Sequence, residues 1–253
     1  MKIAGSSAFV TGGGSGLGEA TARLLAKLGA AVHIFDRNGE AAEKVAAEIG
    51  GVALSGDVTS EEDAAKALDV AAKAGDGLRI LVNCAGIGTA GRILSREGPM
   101  PLSDFEKTIR INLIGTFNMM RLAAERMAQV LERDDKARGV IVNTASVAAF
   151  EGQIGQAAYS ASKGGIVSLG LPAAREFSRF GIRVNTIAPG LFLTPLLKGL
   201  PQEAQDSLAV AIPYPARLGD PAEFADAVRF LIENQYVNGE VIRLDGALRM
   251  QPR

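Results

Sequence analysis

Tyr159 and Lys163 stand four positions apart in a stretch of helical periodicity, and that spacing puts both side chains on one helix face. A free phenol ionises at about 10, too high for a base at neutral pH. An ammonium group alongside would favour the phenolate and lower that value. Lysine also brings N–H donors for hydroxyl groups of a bound ligand. Such a pair is common on helix surfaces, so its weight depends on its surroundings. Ser146 follows the apolar stretch 140–143, which places a hydroxyl at the carboxyl edge of a sheet, where open α/β folds bind ligands. A hydroxyl there can hold a carbonyl oxygen and stabilise charge developing on it. Asn112 stands just before a long helical stretch near 115–131. Its amide reads either as support for a water in proton delivery or as a structural helix cap.

A second group of residues points to a dinucleotide. Thr11, Gly12, Gly13, Gly14, Ser15, Gly16, Leu17 and Gly18 lie between the first strand-like and the first helical stretch. Glycines at 12, 16 and 18 let the backbone approach a pyrophosphate closely, and the following helix N-terminus offers N–H groups and a partial positive charge. Asp36 ends the second strand-like stretch, where such folds set an acid on the ribose hydroxyls. A carboxylate there repels a 2′-phosphate and favours NAD over NADP. The neighbouring Arg37 works the other way, because a guanidinium accommodates that phosphate. Asp57 and Val58 would hold the adenine, or else belong to an ordinary helix-cap region. Asn83, Cys84, Ala85 and Gly86 end the fourth strand with small residues where a backbone must pass near the cofactor. Cys84 itself reads as a packed small residue, since no base stands nearby in sequence.

The elements that must position these residues alternate along the chain. Strands are expected at 8–10, 31–35, 52–54, 79–82, 140–143, 182–187 and 240–244. Helices are expected from the glycine turn to 28 and at 40–49, 61–74 (with Ser60 as N-cap), 115–131 and 157–180. Strict alternation predicts a doubly wound parallel sheet of the Rossmann type, with helices on both faces. Two stretches are irregular: 88–103, with three glycines and two prolines, and 191–219, with four prolines and two glycines. Loops of that length are usually functional. The second is expected to form a substrate lid on a single domain spanning 1–253, with Leu191, Phe192, Leu193, Leu196, Leu197 and Leu200 either lining an acyl pocket or forming a buried helix face. Arg92, Arg96 and Lys198 are candidates for coenzyme A phosphates, or simply solvated cations.

Composition excludes several alternatives. With 27 basic against 28 acidic residues, no charge excess for nucleic acid is present. One cysteine allows no internal disulfide, and no apolar run is long enough for a membrane span. A serine hydrolase would need a catalytic histidine, but His33 is the only one and lies in a strand-like stretch. Ser15 also lacks the Gly-x-Ser-x-Gly frame, because Leu17 occupies the last position. No metal site is expected, with no second histidine or cysteine. A dinucleotide-binding regulator without catalysis is the alternative from another class, and Ser146, Tyr159 and Lys163 together argue against it.

In their order along the chain, the 11–18 turn, Asn83 to Gly86, Asn112, Ser146, Tyr159 to Lys163 (Tyr-Ser-Ala-Ser-Lys) and Pro189-Gly190 resemble the short-chain dehydrogenases/reductases. The resemblance implies that Ser146 positions a carbonyl, Tyr159 transfers the proton, and Lys163 lowers the tyrosine's pKa while binding ribose. It also implies a proton relay supported by Asn112 and a contact from Thr194 to the nicotinamide carboxamide. Residues 143–153, 189–192, 217–221 and 238–246 further resemble the branch of that family acting on 3-hydroxyacyl-CoA. This implies reversible oxidation of (S)-3-hydroxyacyl-CoA to 3-ketoacyl-CoA with NAD in fatty acid metabolism, activity on other alcohols or steroids, and a homotetramer. Another secondary alcohol or ketone (a steroid, a small hydroxy acid or a 3-ketoacyl carrier protein) is the alternative substrate. Animal members of the branch are mitochondrial. Here the first strand follows directly on the N-terminus, so a cytoplasmic location is expected, or the mitochondrial matrix if a presequence is missing from this chain.

Overall fold

Short runs of aliphatic residues bounded by glycine and polar turns build the strands, and alanine- and leucine-rich amphipathic stretches build the helices between them. The computed structural model describes residues 1–199 and 201–252. In chain order the elements are β1 (Ser7–Thr11), α1 (Gly16–Lys27), β2 (Ala31–Asp36), α2 (Gly39–Ile49), β3 (Val52–Ser55), α3 (Glu61–Ala72) and β4 (Leu78–Asn83). A small hairpin, β5 (Leu94–Ser95) and β6 (Gly98–Pro99), precedes α4 (Leu102–Ile109), α5 (Gly115–Met127) and β7 (Gly139–Thr144). The remainder is α6 (Ala157–Phe177), β8 (Ile182–Pro189), α7 (Pro195–Lys198), α8 (Gln202–Val210), α9 (Pro221–Glu233) and β9 (Val241–Leu244). All strands but the hairpin form one parallel sheet in the order β3-β2-β1-β4-β7-β8-β9. The chain therefore adopts the doubly wound α/β architecture its alternating pattern predicts.

Both faces of the sheet are covered, and the strands show it by splitting their side chains between two cores. Ala8, Val10, Val32, Ile34, Val140 and Val142 pack with α1, α2 and α9 through Leu25, Val45, Phe224 and Leu231. Their neighbours Phe9, Phe35 and Ile141 point the other way, to Leu68 of α3, Met119 and Met127 of α5 and Ala174 of α6. Burying each such large side chain contributes about 1.5–3 kcal/mol. Helix starts are fixed by local chemistry: Ser60 Oγ accepts from Asp63 N at 3.2 Å. A capping box of Asp220 and Glu223 opens α9, with Pro221 at its first turn.

Two expectations need correction. The helix expected to start at 115 is helical from Leu102 onward: α4 runs through a π-helical turn, Arg110–Ile114, into α5. Asn112 thus lies inside the helical run and caps nothing. A π turn inserts one extra residue and redirects the side chains it carries, which helical periodicity alone does not reveal. The irregular stretch 191–219 contains the short helices α7 and α8. Its two ends are joined by Leu193 N to Gly219 O at 2.8 Å and Gly219 N to Leu191 O at 2.9 Å, the closed form of a compact surface loop.

Candidate active site

The sheet order reverses between β2-β1 and β4, and beyond the carboxyl ends of these strands a cleft of about 1000 Å³ opens. Crevices at such a switch point are where open α/β sheets bind ligands. Its walls include Gly12, Ser15, Gly16, Leu17, Gly18, Asp36, Arg37, Asp57, Val58, Ala85, Gly86, Ser146, Tyr159, Lys163, Pro189, Gly190 and Thr194. Residues drawn from the whole length of the chain thus meet in one place.

At one end, close packing shapes the glycine turn. A Cβ on Gly12, whose φ is +65°, would meet Ala85 N at 2.8 Å, and one on Gly18 would meet Gly12 O at 2.2 Å. Side chains at these positions would force β1, β4 and α1 apart. Thr11 fastens the same junction, its Oγ1 accepting from Ala85 N at 3.1 Å and Cys84 N at 3.2 Å. The α1 N-terminus consequently faces the cleft. Asp36 is held rigidly: Oδ2 accepts from Gly14 N at 3.0 Å and Oδ1 from Asn38 N at 2.9 Å. Asp57 Oδ1 accepts from Thr59 N at 2.8 Å. Gly-rich backbone that leaves no room for side chains, a helix N-terminus and a fixed carboxylate at a strand end fit a nicotinamide dinucleotide.

At the other end, Ser146, Tyr159 and Lys163 converge. Lys163 Nζ donates to Thr144 O at 2.9 Å and lies 5.8 Å from the centre of the Tyr159 ring. Burial lowers the Lys163 ammonium from 10.5 to about 8. The Tyr159 phenol is raised above its ordinary 10 by burial, and a hydrogen bond with Ser146 works in the opposite direction. Ser146 thus opposes the upward pull of burial on the phenol. The Lys163 amine itself is directed to the Thr144 carbonyl. Ser146 Oγ also accepts from Ala148 N at 3.2 Å, which fixes its rotamer.

Two expected site residues stand behind the cleft wall. Asn83 is buried, its Nδ2 donating to Asn143 Oδ1 at 2.9 Å, so its side chain ties β4 to β7. Asn112 is also fully buried: Nδ2 donates to Ile87 O and Ser162 Oγ, both at 3.0 Å, and Oδ1 accepts from Ile87 N at 2.8 Å. With both amide hydrogens committed, Asn112 joins the post-β4 loop to α6 beside Tyr159. Ser162 Oγ continues the link by donating to Tyr159 O at 2.7 Å.

Leu191, Phe192 and Leu197 of the leucine-rich stretch reach the cleft. Leu193 is not among its walls, and the side chain of Leu196 and the whole of Leu200 lie outside the described residues. Phe192 also belongs to the core, edge-on to Phe224 at 6.3 Å. Arg92, Arg96 and Lys198 are exposed. Cys84 is a wall residue whose thiol burial pushes up to about 11, far from a reactive thiolate. Sequence reasoning missed the Thr144 carbonyl, Gln156 and Met250. Thr144 ends β7, so strand position would have pointed to it; nothing in the residue pattern marks Met250.

Among the described residues no group of three or more His, Cys, Asp or Glu is placed to hold a metal ion, and no helix is long and apolar enough to cross a membrane. A family model described as short chain dehydrogenase matches residues 6–205. The chain is 51% identical to human 3-hydroxyacyl-CoA dehydrogenase type-2 over 99% of its own length and 98% of that protein's. It is 51% identical to the Drosophila melanogaster protein of the same name, over 99% and 100%. The crystal structure of 3-hydroxyacyl-CoA dehydrogenase type-2 from Mycobacterium avium superposes with a TM-score of 0.95 at 47% identity, covering 98% of each chain.

Proposed function

The chain belongs to the short-chain dehydrogenase family, and from that premise we propose that it oxidises (S)-3-hydroxyacyl-CoA to 3-ketoacyl-CoA, reversibly and with NAD. The observation that carries this reading is the convergence of Ser146, Tyr159 and Lys163 on one cleft with the glycine turn and Asp36, in a chain about half identical to proteins named for that substrate.

Gly12, Ser15, Gly16, Leu17 and Gly18 would hold the pyrophosphate, Asp36 the adenosine ribose, Asp57 and Val58 the adenine, and Ala85 and Gly86 the backbone side of the cofactor. Pro189, Gly190 and Thr194 would hold the nicotinamide end, and Lys163 its ribose. When bound, the dinucleotide supplies the acceptor for hydride from the substrate's C3. Ser146 Oγ holds the substrate oxygen, which becomes the ketone oxygen. Tyr159 Oη accepts the hydroxyl proton during oxidation and returns it during reduction. Burial alone makes this phenol a weaker acid, so its ionisation depends on positive charge brought near it: Lys163 while protonated, and the cationic ring of oxidised cofactor. Asn112 and Asn83 act as positioning residues through the contacts above.

Asp36 supports NAD over NADP by charge repulsion. A homotetramer is supported by the apolar side chains exposed along α4, the π turn and α5, Leu102, Ile114 and Phe117, which a stable surface would cover. The unpaired Cys84 suits a reducing compartment such as the cytoplasm. The direct test follows NADH absorbance with acetoacetyl-CoA against a steroid ketone and a carrier-protein thioester. Preferred turnover of acetoacetyl-CoA with NADH is expected. Binding of NADH without turnover of any carbonyl would identify a regulator instead.

A further inference from the structure

Beyond β9 the chain turns back to residues 151–154 and to the cleft wall, and its path is fixed by an ion-pair cluster with no part in the chemistry above. Asp245 turns the backbone: Oδ1 accepts from Ala247 N at 3.0 Å and Oδ2 from Arg243 Nε at 2.8 Å. Ala247 takes a φ of 66°, a left-handed conformation disfavoured for any residue with a Cβ and kept only where neighbours enforce it. Glu151 then receives the returning segment. Its carboxylate accepts from Arg243 Nη1 at 2.8 Å and Nη2 at 3.2 Å, and from Met250 N at 3.1 Å. Paired contacts between a guanidinium and a carboxylate are among the stronger and more directional hydrogen bonds. Two further bonds close the seam, Gln153 Nε2 to Gln251 O and Ile154 N to Pro252 O, both 3.0 Å.

The receiving residues, 151–154, lie in the connection between Ser146 and Tyr159, so whatever is fastened there stands at the reacting end of the cleft. Met250 is the tail residue that forms part of the cleft wall. An unbranched thioether fills irregular apolar space well. We propose that Glu151 is a positioning residue that latches the C-terminal segment so that Met250 forms the wall against the substrate's carbon chain, limiting its length. The length-limiting role rests on the acyl-CoA reading above; the latch does not.

The test compares kcat/KM for four-, eight- and twelve-carbon 3-hydroxyacyl-CoA in the wild type, Met250→Ala and Glu151→Ala, with amide hydrogen exchange over residues 246–252. Shortening Met250 should raise the long-to-short ratio by about tenfold, the scale on which small volume changes in apolar pockets discriminate, with the change residing in KM rather than kcat. Glu151→Ala should move the ratio the same way and speed exchange across 246–252. An unchanged ratio in both variants would refute the wall, and unchanged exchange in Glu151→Ala would refute the latch. A wild type that turns over none of the thioesters would overturn the acyl-CoA reading and chain-length selection with it, while exchange still decides the latch.

Discussion

Lys163 illustrates what a reactive side chain requires of a fold. Burial lowers its pKa from 10.5 to about 8, so between those values the unfolded chain binds more protons than the folded one. Stability through this group therefore rises with pH across that window and is least below about 8, where the fold must keep a buried charge. Lys163→Met should leave the melting temperature at pH 7 equal to or above that of the wild type, partly offset by loss of the bond to Thr144 O. That gain should shrink as pH approaches 10, while turnover falls at every pH. Melting curves at pH 7 and 10 check this, and a large loss of stability at pH 7 would contradict it. Asp36→Ala should cut the preference for NAD over NADP by at least about tenfold, or about 1.4 kcal/mol; an unchanged ratio of kcat/KM would mean the carboxylate does not meet the ribose. The types and order of these residues were legible in the sequence. The direction of the amine was not, because the Thr144 carbonyl that receives it comes from another strand.

Helix and strand junctions set the geometry at the next scale, and here sequence reading was less complete. The glycine turn, the strand ends and the alternation of elements follow from local chemistry and were read correctly. The π turn at Arg110–Ile114 was not, since it adds a residue to a helix without changing its composition. Its consequence is Asn112, whose three side-chain bonds hold the loop after β4 against α6. In Asn112→Ala the half-buried N–H and C=O of Ile87 lose their partners, at about 0.5–1.5 kcal/mol for each hydrogen bond. Calorimetry should record a fall in melting temperature of roughly 2–4 °C per kcal/mol, with turnover reduced because α6 carries Tyr159. Unchanged melting and turnover together would show that the loop is held by something else.

For the whole molecule, the two-sided core and the strand reversal explain why a single cleft collects residues from position 12 to position 250. The C-terminal tail is the part least visible in sequence, because its place depends on an ion pair between residues 92 positions apart. Exposed Ile114 and Phe117 on α5 and the turn before it predict association. Light scattering should find four chains, and Phe117→Glu should shift them toward smaller species; a wild type that stays monomeric would contradict this. The central claim concerns the proton at Tyr159, and Tyr159→Phe removes only the phenolic oxygen. Single-turnover oxidation of 3-hydroxybutyryl-CoA by that variant should be about 10²–10⁴-fold slower than in the wild type, the usual contribution of a general acid/base, with cofactor still bound. Oxidation at the wild-type rate would contradict the assignment outright.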